Sequence, residues 1–117
     1  MLTFIWYNKC DTCRKTRKWL DEKGIEYSIR DMKTENPSYE ELAEWHKMSG
    51  FSLRKFFNTS GQLYKAMELK NTLPAMSDDE MLLLLASDGM LVKRPLLIGE
   101  DFVLLGFKEA DWAAKLL

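Results

Sequence analysis

The 117-residue chain reads as an α/β fold in which a four-stranded mixed sheet is interrupted by a long all-helical insert. Three patterns predict this. The first third runs from a β-favouring stretch through a helical period to a second alternating stretch, the order of a strand, a helix and a strand. The middle, from about residue 35 to 88, carries two helix-capping boxes and no strand-like run. The last third has two short apolar runs around a glycine-containing loop and then a helical segment. A chain of this length buries one continuous core, so residues 1–117 are expected to form a single domain.

Leu2 to Tyr7 are apolar or β-favouring and lead into the polar turn Asn8-Lys9, so the first strand should end just before Cys10. From Asp11 onward Cys13, Thr16, Trp19 and Leu20 recur at helical spacing until Gly24, which places a helix start at or beside Cys10. Ile25, Tyr27 and Ile29 alternate with Glu26, Ser28 and Arg30, the period of a half-buried second strand. Ser38 and Glu41 form a capping box ahead of Leu42, Trp45 and Met48, giving a helix that runs to about Gly50. Leu53, Phe56 and Phe57 fit a further short helix, closed by the turn Asn58-Thr59-Ser60-Gly61, with irregular or helical packing up to Pro74. Ser77 and Glu80 repeat the capping box before Met81 to Leu85, and Asp88-Gly89 provides the exit. Leu96 to Ile98 and Phe102 to Leu105 flank Gly99-Glu100-Asp101 as a hairpin, and Glu109 to Leu117 is apolar enough to pack as a terminal helix.

Composition narrows the function classes. Apolar residues at 46% and charged residues at 30% are ordinary globular usage, which disfavours disordered and disulfide-scaffold classes. Seventeen basic against eighteen acidic residues give no global attraction to nucleic acid or to an anionic membrane, so neither is expected as a direct partner. The longest apolar run, Met81 to Ala86, has six residues where a membrane span needs roughly 20. The N-terminus lacks the basic region of a secretory signal, so a soluble, cytosolic protein is expected.

Cys10 and Cys13 are the only cysteines, and in a reducing compartment so close a pair points to catalysis or metal binding rather than to a structural staple. At a helix N-terminus the free backbone N–H groups and the positive dipole end favour a thiolate, which makes Cys10 the expected nucleophile. Three residues on, Cys13 returns to the same helix face and could resolve a mixed disulfide. Lys9, Arg14 and Lys15 add local positive charge. Only His46 could join the cysteines around zinc, so no metal is expected. Two inert, buried cysteines are the bland alternative. Arg94-Pro95 precedes the third strand, where proline marks either an edge position or a cis bond. A strand-helix-strand unit with Cys-x-x-Cys after its first strand, followed by a hairpin and helix, is the thioredoxin arrangement, in which a cis-proline before the third strand faces the cysteines.

Tyr7-Asn8-Lys9-Cys10-Asp11-Thr12-Cys13-Arg14-Lys15, Asn58-Thr59-Ser60-Gly61, Val92-Lys93-Arg94-Pro95-Leu96-Leu97 and Leu104-Leu105-Gly106-Phe107 resemble the arsenate reductase (ArsC) and Spx family of thioredoxin-like proteins, over nearly the whole chain. The likeness is greatest to its uncharacterised, reductase-like branch. The resemblance implies a thiol-disulfide oxidoreductase with no bound cofactor, glutathione as a co-substrate, and a thiol or disulfide substrate with thioredoxin or glutaredoxin as partner. It also implies an alternative, a redox-sensing regulator of the Spx and MgsR kind that binds the α-subunit of RNA polymerase, through a surface built partly from the insert. A comparable turn stands at Ser49-Gly50, where its simpler role is a helix cap. Within the resemblance Cys10 matches the nucleophile, Arg14 the basic residue after the cysteine loop, and Arg94 the arginine before the proline. Catalytic roles fall to Cys10, Cys13 and Arg94, and substrate contacts to Lys9, Thr12, Arg14, Asn58, Thr59 and Pro95. Arsenate reductases carry two further oxyanion-binding arginines, yet here no arginine lies between Arg54 and Arg94 or after Arg94. Losing those charge-assisted donors should weaken arsenate binding sharply.

The remaining candidates carry no chemistry. His46 is expected as a surface histidine, and Trp6, Trp19, Phe56, Phe57 and Trp112 as core. Glu40, Glu41 and Glu44 read as a solvated helix face.

Overall fold

The structure, a computed structural model, describes all of residues 1–117. Strand β1 (Thr3–Trp6) is its centre. It is parallel to β2 (Ser28–Asp31), with Phe4 beside Ile29, and antiparallel to β3 (Leu96–Ile98), with Phe4 beside Leu97. Strand β4 (Val103–Leu105) closes a hairpin on β3, so the sheet order is β2-β1-β3-β4. Phe4, Ile5, Leu96 and Leu97 are fully buried, because the two central strands are covered on both faces. That is why these strands read as unbroken apolar runs rather than as alternation. Strict alternation instead divides the side chains between two cores. Phe4 and Leu97 pack with Trp19 and Leu20 of α1 (Asp11–Glu22) and Trp112 of α6 (Glu109–Leu116). Ile5, Leu96 and Val103 face the opposite way, into the larger core made with the insert. Together these layers form an α/β sandwich with the thioredoxin topology, and the Arg94–Pro95 bond is cis.

The second strand departs from expectation. The alternation from Ile25 to Arg30 predicts a half-buried strand, but the ladder spans Ser28–Asp31 and Ile29 is 43% exposed. The backbone N–H of Ile25 is engaged in closing α1, donating to the Leu20 carbonyl, and the first bond toward β1 comes only at Ser28, to Leu2. Ile25 and Tyr27 still pack on the smaller core. Ile29 lies one step further along the sheet edge, with β1 as the only neighbour of its strand.

The insert is helical as its capping boxes predict. Helix α2 (Tyr39–Ser49) starts at Ser38, whose hydroxyl accepts from Glu41 N–H while the Glu41 carboxylate accepts from Ser38 N–H. It ends at Gly50, in the left-handed region at φ 72°. A 3-10 turn over Leu53–Phe56 follows, then α3 (Gln62–Ala66), α4 (Leu69–Thr72) and a second 3-10 turn over Leu73–Ala75. Helix α5 (Asp78–Ser87) carries the second capping box, Ser77 with Glu80. Leu42 and Trp45 of α2 meet Met81, Leu82 and Leu85 of α5 over Ile5 and Leu96. The exit from the insert is tied to its entry, since Asn36 Nδ2 donates to the Ala86 carbonyl at 2.7 Å. A Cβ on Gly89 would stand 2.0 Å from the Met32 carbonyl oxygen, so only glycine lets the two ends of the insert close. One feature escapes the helical reading: Phe57 and Val92 form a single antiparallel bridge.

Of the aromatic residues expected in the core, Trp19, Phe56, Phe57 and Trp112 are buried, while Trp6 is half-buried with the Arg17 guanidinium 4.8 Å above its ring. His46 is half-buried, edge-on to Phe56. No helix is long and apolar enough to cross a membrane.

The acidic face of α2 also needs correction. Glu40 and Glu44 are solvated, but Glu41 receives both arms of Arg30, with Nη1 at 2.6 Å from Oε2 and Nη2 at 2.9 Å from Oε1. These bonds, helped by Ser38 N–H and opposed by partial burial, lower the Glu41 carboxyl to about 2. The folded value is below the unfolded one, so the stabilisation is complete above pH about 4.5 and is lost as pH falls through about 2. The Glu41 side chain is 38% exposed, and solvent screening reduces the expected contribution to about 1 kcal/mol. Glu41→Gln should therefore destabilise the protein by about that much at neutral pH, with the two unfolding curves converging in strong acid. Urea titrations at neutral and acid pH check this.

Candidate active site

Cys10 is the N-cap of α1, with extended backbone angles of −99° and 120°. Its Sγ accepts the backbone N–H of Cys13 at 3.4 Å, so a sulfur occupies the position where a helix start usually places an oxygen. The turn that delivers it is held by Cys10 N–H donating to the Tyr7 carbonyl at 3.0 Å. Cys10 is half-buried and Cys13 fully buried, and both thiols are free. Burial pushes the Cys13 thiol up to about 12. A hydrogen bond from the Tyr7 backbone opposes that rise, contact with Cys10 and its charge add to it, and the charge of Arg94 again lowers it.

Cys10 opens on a depression of about 360 Å³. Of the residues expected at the site, Thr12, Asn58 and Arg94 also line it. Arg94 is steadied by its guanidinium lying 5.1 Å from the centre of the Tyr7 ring and by Nη1 donating to Met90 Sδ at 3.6 Å. Pro95 is buried behind the depression, and its carbonyl accepts Gly106 N–H at 2.8 Å. Three expected residues lie elsewhere. Lys9 is exposed on the turn before Cys10. Arg14 is paired with Asp11 and borders a shallow hollow beside Trp6 and Arg17. Thr59 lines a neighbouring depression rather than this one.

The structure adds residues that sequence reasoning missed. Ser60, Lys93 and Lys108 border the depression with Gly106 and Phe107. Lys93 arrives through the Phe57–Val92 bridge, where its N–H donates to the Phe56 carbonyl at 2.7 Å. The Lys93-Arg94 doublet before proline was its only sequence signal. Gly106 is favoured by its backbone, at φ 63°, since the only atoms a Cβ there would meet belong to the movable end of the Lys93 side chain. Its carbonyl accepts Trp112 Nε1–H at 2.8 Å, which fixes α6 to the rim. No group of three His, Cys, Asp or Glu side chains that could hold a metal ion occurs in the chain.

Comparison with known proteins places this site in a family, because the model of the ArsC family matches residues 5–115. The chain belongs to the ArsC family. It is 54% identical over 116 residues to an uncharacterized protein, YusI, of Bacillus subtilis, covering 96% of this chain and 98% of that one. The regulatory protein MgsR of Bacillus subtilis is 30% identical over 110 residues, covering 94% of this chain and 86% of MgsR. Among solved structures, a putative ArsC family related protein from Bacteroides fragilis superposes with a TM-score of 0.94 at 48% identity, covering 97% of this chain and 95% of that one. A possible arsenate reductase from Streptococcus mutans gives 0.88 at 45% identity, covering 97% and 98%. This ArsC-family chain thus has both reductase-like and regulatory relatives.

The geometry makes the two thiols unequal. Burial keeps Cys13 as the neutral thiol at pH 8, and no solvent reaches it. Iodoacetamide at that pH should label Cys10 alone in the folded protein, with Cys13 reacting only after denaturation. Peptide mapping by mass spectrometry reads the outcome, and labelling of Cys13 in the folded state would contradict this arrangement.

Proposed function

We propose that this ArsC-family protein is a thiol-disulfide oxidoreductase. The observation that supports it best is the pairing of an accessible Cys10 at the helix N-cap with a buried Cys13 whose backbone touches the Cys10 sulfur. In this reading the Cys10 thiolate attacks one sulfur of a substrate disulfide. That S–S bond breaks, a new one forms to Cys10, and the other substrate sulfur leaves as a thiolate. Cys13 then attacks Cys10 Sγ, its proton passing to the second substrate sulfur, which leaves as the thiol, and a Cys10–Cys13 disulfide remains. Two electrons have passed from the dithiol to the substrate. Glutathione or a thioredoxin-like or glutaredoxin-like donor returns them.

Arg94 acts on the second step, because its charge lowers Cys13. Two influences that raise Cys13 come from Cys10 itself, and both are altered once Cys10 is bonded to substrate. The cytosol, where reduced glutathione is available, is the compartment this reading requires.

A second reading is favoured by the MgsR relationship and by Spx relatives at 26% identity, which are global transcriptional regulators. There the same pair would be a switch, and the dithiol and disulfide forms would differ in affinity for a partner such as the carboxy-terminal domain of the polymerase α-subunit. Arsenate is disfavoured as substrate. Arg94 is the single guanidinium lining the depression, and Lys93 and Lys108 beside it are point charges that do not replace the further bidentate grips of additional arginines.

Turnover of the glutathione–hydroxyethanol mixed disulfide separates these readings. Cys10→Ser should reduce it by at least about 100-fold, and Cys13→Ser should accumulate a Cys10 mixed disulfide visible by intact mass. Full activity in Cys10→Ser, or no turnover by the natural protein together with redox-dependent binding to the polymerase domain, would favour the switch. Arsenate, tested with glutathione and glutaredoxin present, should not support saturable turnover.

A further inference from the structure

A second depression, of about 420 Å³, adjoins the Cys10 site and shares Lys93, Leu105 and Lys108 with it. Its apolar lining includes the buried Phe57, Tyr64 and Leu73 and the exposed Phe51, and Arg54 and Lys55 join the two shared lysines around it. Asp111 is the single carboxylate there. None of the four cations is in an ion pair; the ion pairs of the chain are Met1–Glu100, Arg14–Asp11, Lys18–Glu22 and Arg30–Glu41. Lys55 lies instead 5.4 Å from the centre of the exposed Phe51 ring. In a chain of net charge −1, four unpaired cations around one concave surface beside the nucleophile are a local concentration of positive charge. An apolar lining of this size suits side chains rather than a small inorganic anion.

We infer that this second depression binds the acidic and apolar segment that flanks the reacting cysteine of a protein substrate. The inference rests on the exchange activity proposed above and names its substrate class: disulfides carried on acidic peptide segments. The Cys10 depression takes the sulfur, and the adjoining surface takes the neighbouring residues, with carboxylates toward Arg54 and Lys55 and an aliphatic side chain over Phe57 and Leu73. Binding of this kind gives specificity and encounter rate through charge complementarity, and it weakens with salt.

The test uses a short fluorescein-labelled peptide of alternating glutamate and leucine without cysteine, and its lysine-leucine counterpart, on the whole reduced protein. Fluorescence anisotropy should show the acidic peptide binding at least about tenfold tighter at low salt, with the preference shrinking as salt rises. Arg54 and Lys55 are both exposed, so Arg54→Glu with Lys55→Glu should leave the circular dichroism spectrum unchanged and invert the preference. Equal affinities for the two peptides, an unchanged preference in the charge-reversed protein, or displacement by inorganic phosphate or glutathione as readily as by unlabelled peptide would overturn the inference. Because these readouts need no turnover, loss of the exchange reading in the Cys10→Ser assay is a separate result. If exchange does occur, a disulfide linked to the acidic peptide should be reduced with higher kcat/KM than one linked to the basic peptide, and the charge reversal should exchange their order.

Discussion

The registration of three strands holds the candidate site together. Ile5 of β1 lies beside Leu96 of β3, and Leu96 lies beside Leu105 of β4. Because β1 and β3 run in opposite directions, the end of β1 leading to Cys10 meets the start of β3, which follows Arg94 and Pro95. The end of β4, leading to Gly106, Phe107 and Lys108, arrives at the same place. A slip of one residue would exchange the faces of Phe4, Ile5, Leu96 and Leu97, all fully buried, and would mismatch two cores at once. The slipped side chains would stay buried but misfitted, at about 1–3 kcal/mol for each overpacked position, a large share of the stability of a protein of this size. The chemistry is thus positioned by packing remote from the sulfur.

The insert contributes in the same manner. Its entry and exit are clamped by Asn36 on Ala86 and by the contact of Gly89 with Met32, and its first helix is fastened to β2 through Arg30 and Glu41. Between these anchors the Phe57–Val92 bridge carries Asn58 and Lys93 to the rim of the Cys10 depression. Asn58 N–H donates to the Leu91 carbonyl at 2.8 Å, so that side of the site is set by backbone bonds rather than by loop flexibility. The helical block therefore does two jobs, filling the larger core and furnishing one wall.

Much of this was legible along the chain where the determinants are local. Cys10 at a strand-to-helix junction, the Ser38–Glu41 and Ser77–Glu80 capping boxes, the hairpin around Gly99 and the cis Arg94–Pro95 bond all follow from neighbours a few residues apart or from the order of elements. The misjudged features depend on particular hydrogen-bond partners that periodicity alone does not reveal. Ile25 alternates correctly for a strand, but its N–H is already engaged by Leu20. Glu41 sits on an otherwise solvated face, but Arg30 reaches it from β2. Lys93 and Lys108 carried little signal because only the bridge and the β4 register bring them to Cys10.

Charge placement then follows from the same geometry. The chain is nearly neutral, yet Arg94, Lys93 and Lys108 surround Cys10, and Arg54 and Lys55 continue the positive surface. The compensating carboxylates lie on separate elements: Asp78, Asp79 and Glu80 begin α5, and Glu40 and Glu44 lie on the solvated face of α2. Glu40, Asp78, Asp79 and Glu80, in first turns, complement the local dipoles and stabilise the insert, while Asp11 beside Cys10 is paired with Arg14 and Asp111 lines the adjoining depression. Such a division matters for a sulfur nucleophile. Cations around the Cys10 depression draw anionic partners, whereas an unpaired carboxylate there would repel them. The strand register gathers Lys93, Arg94 and Lys108, none of them in an ion pair, around the one half-buried thiol.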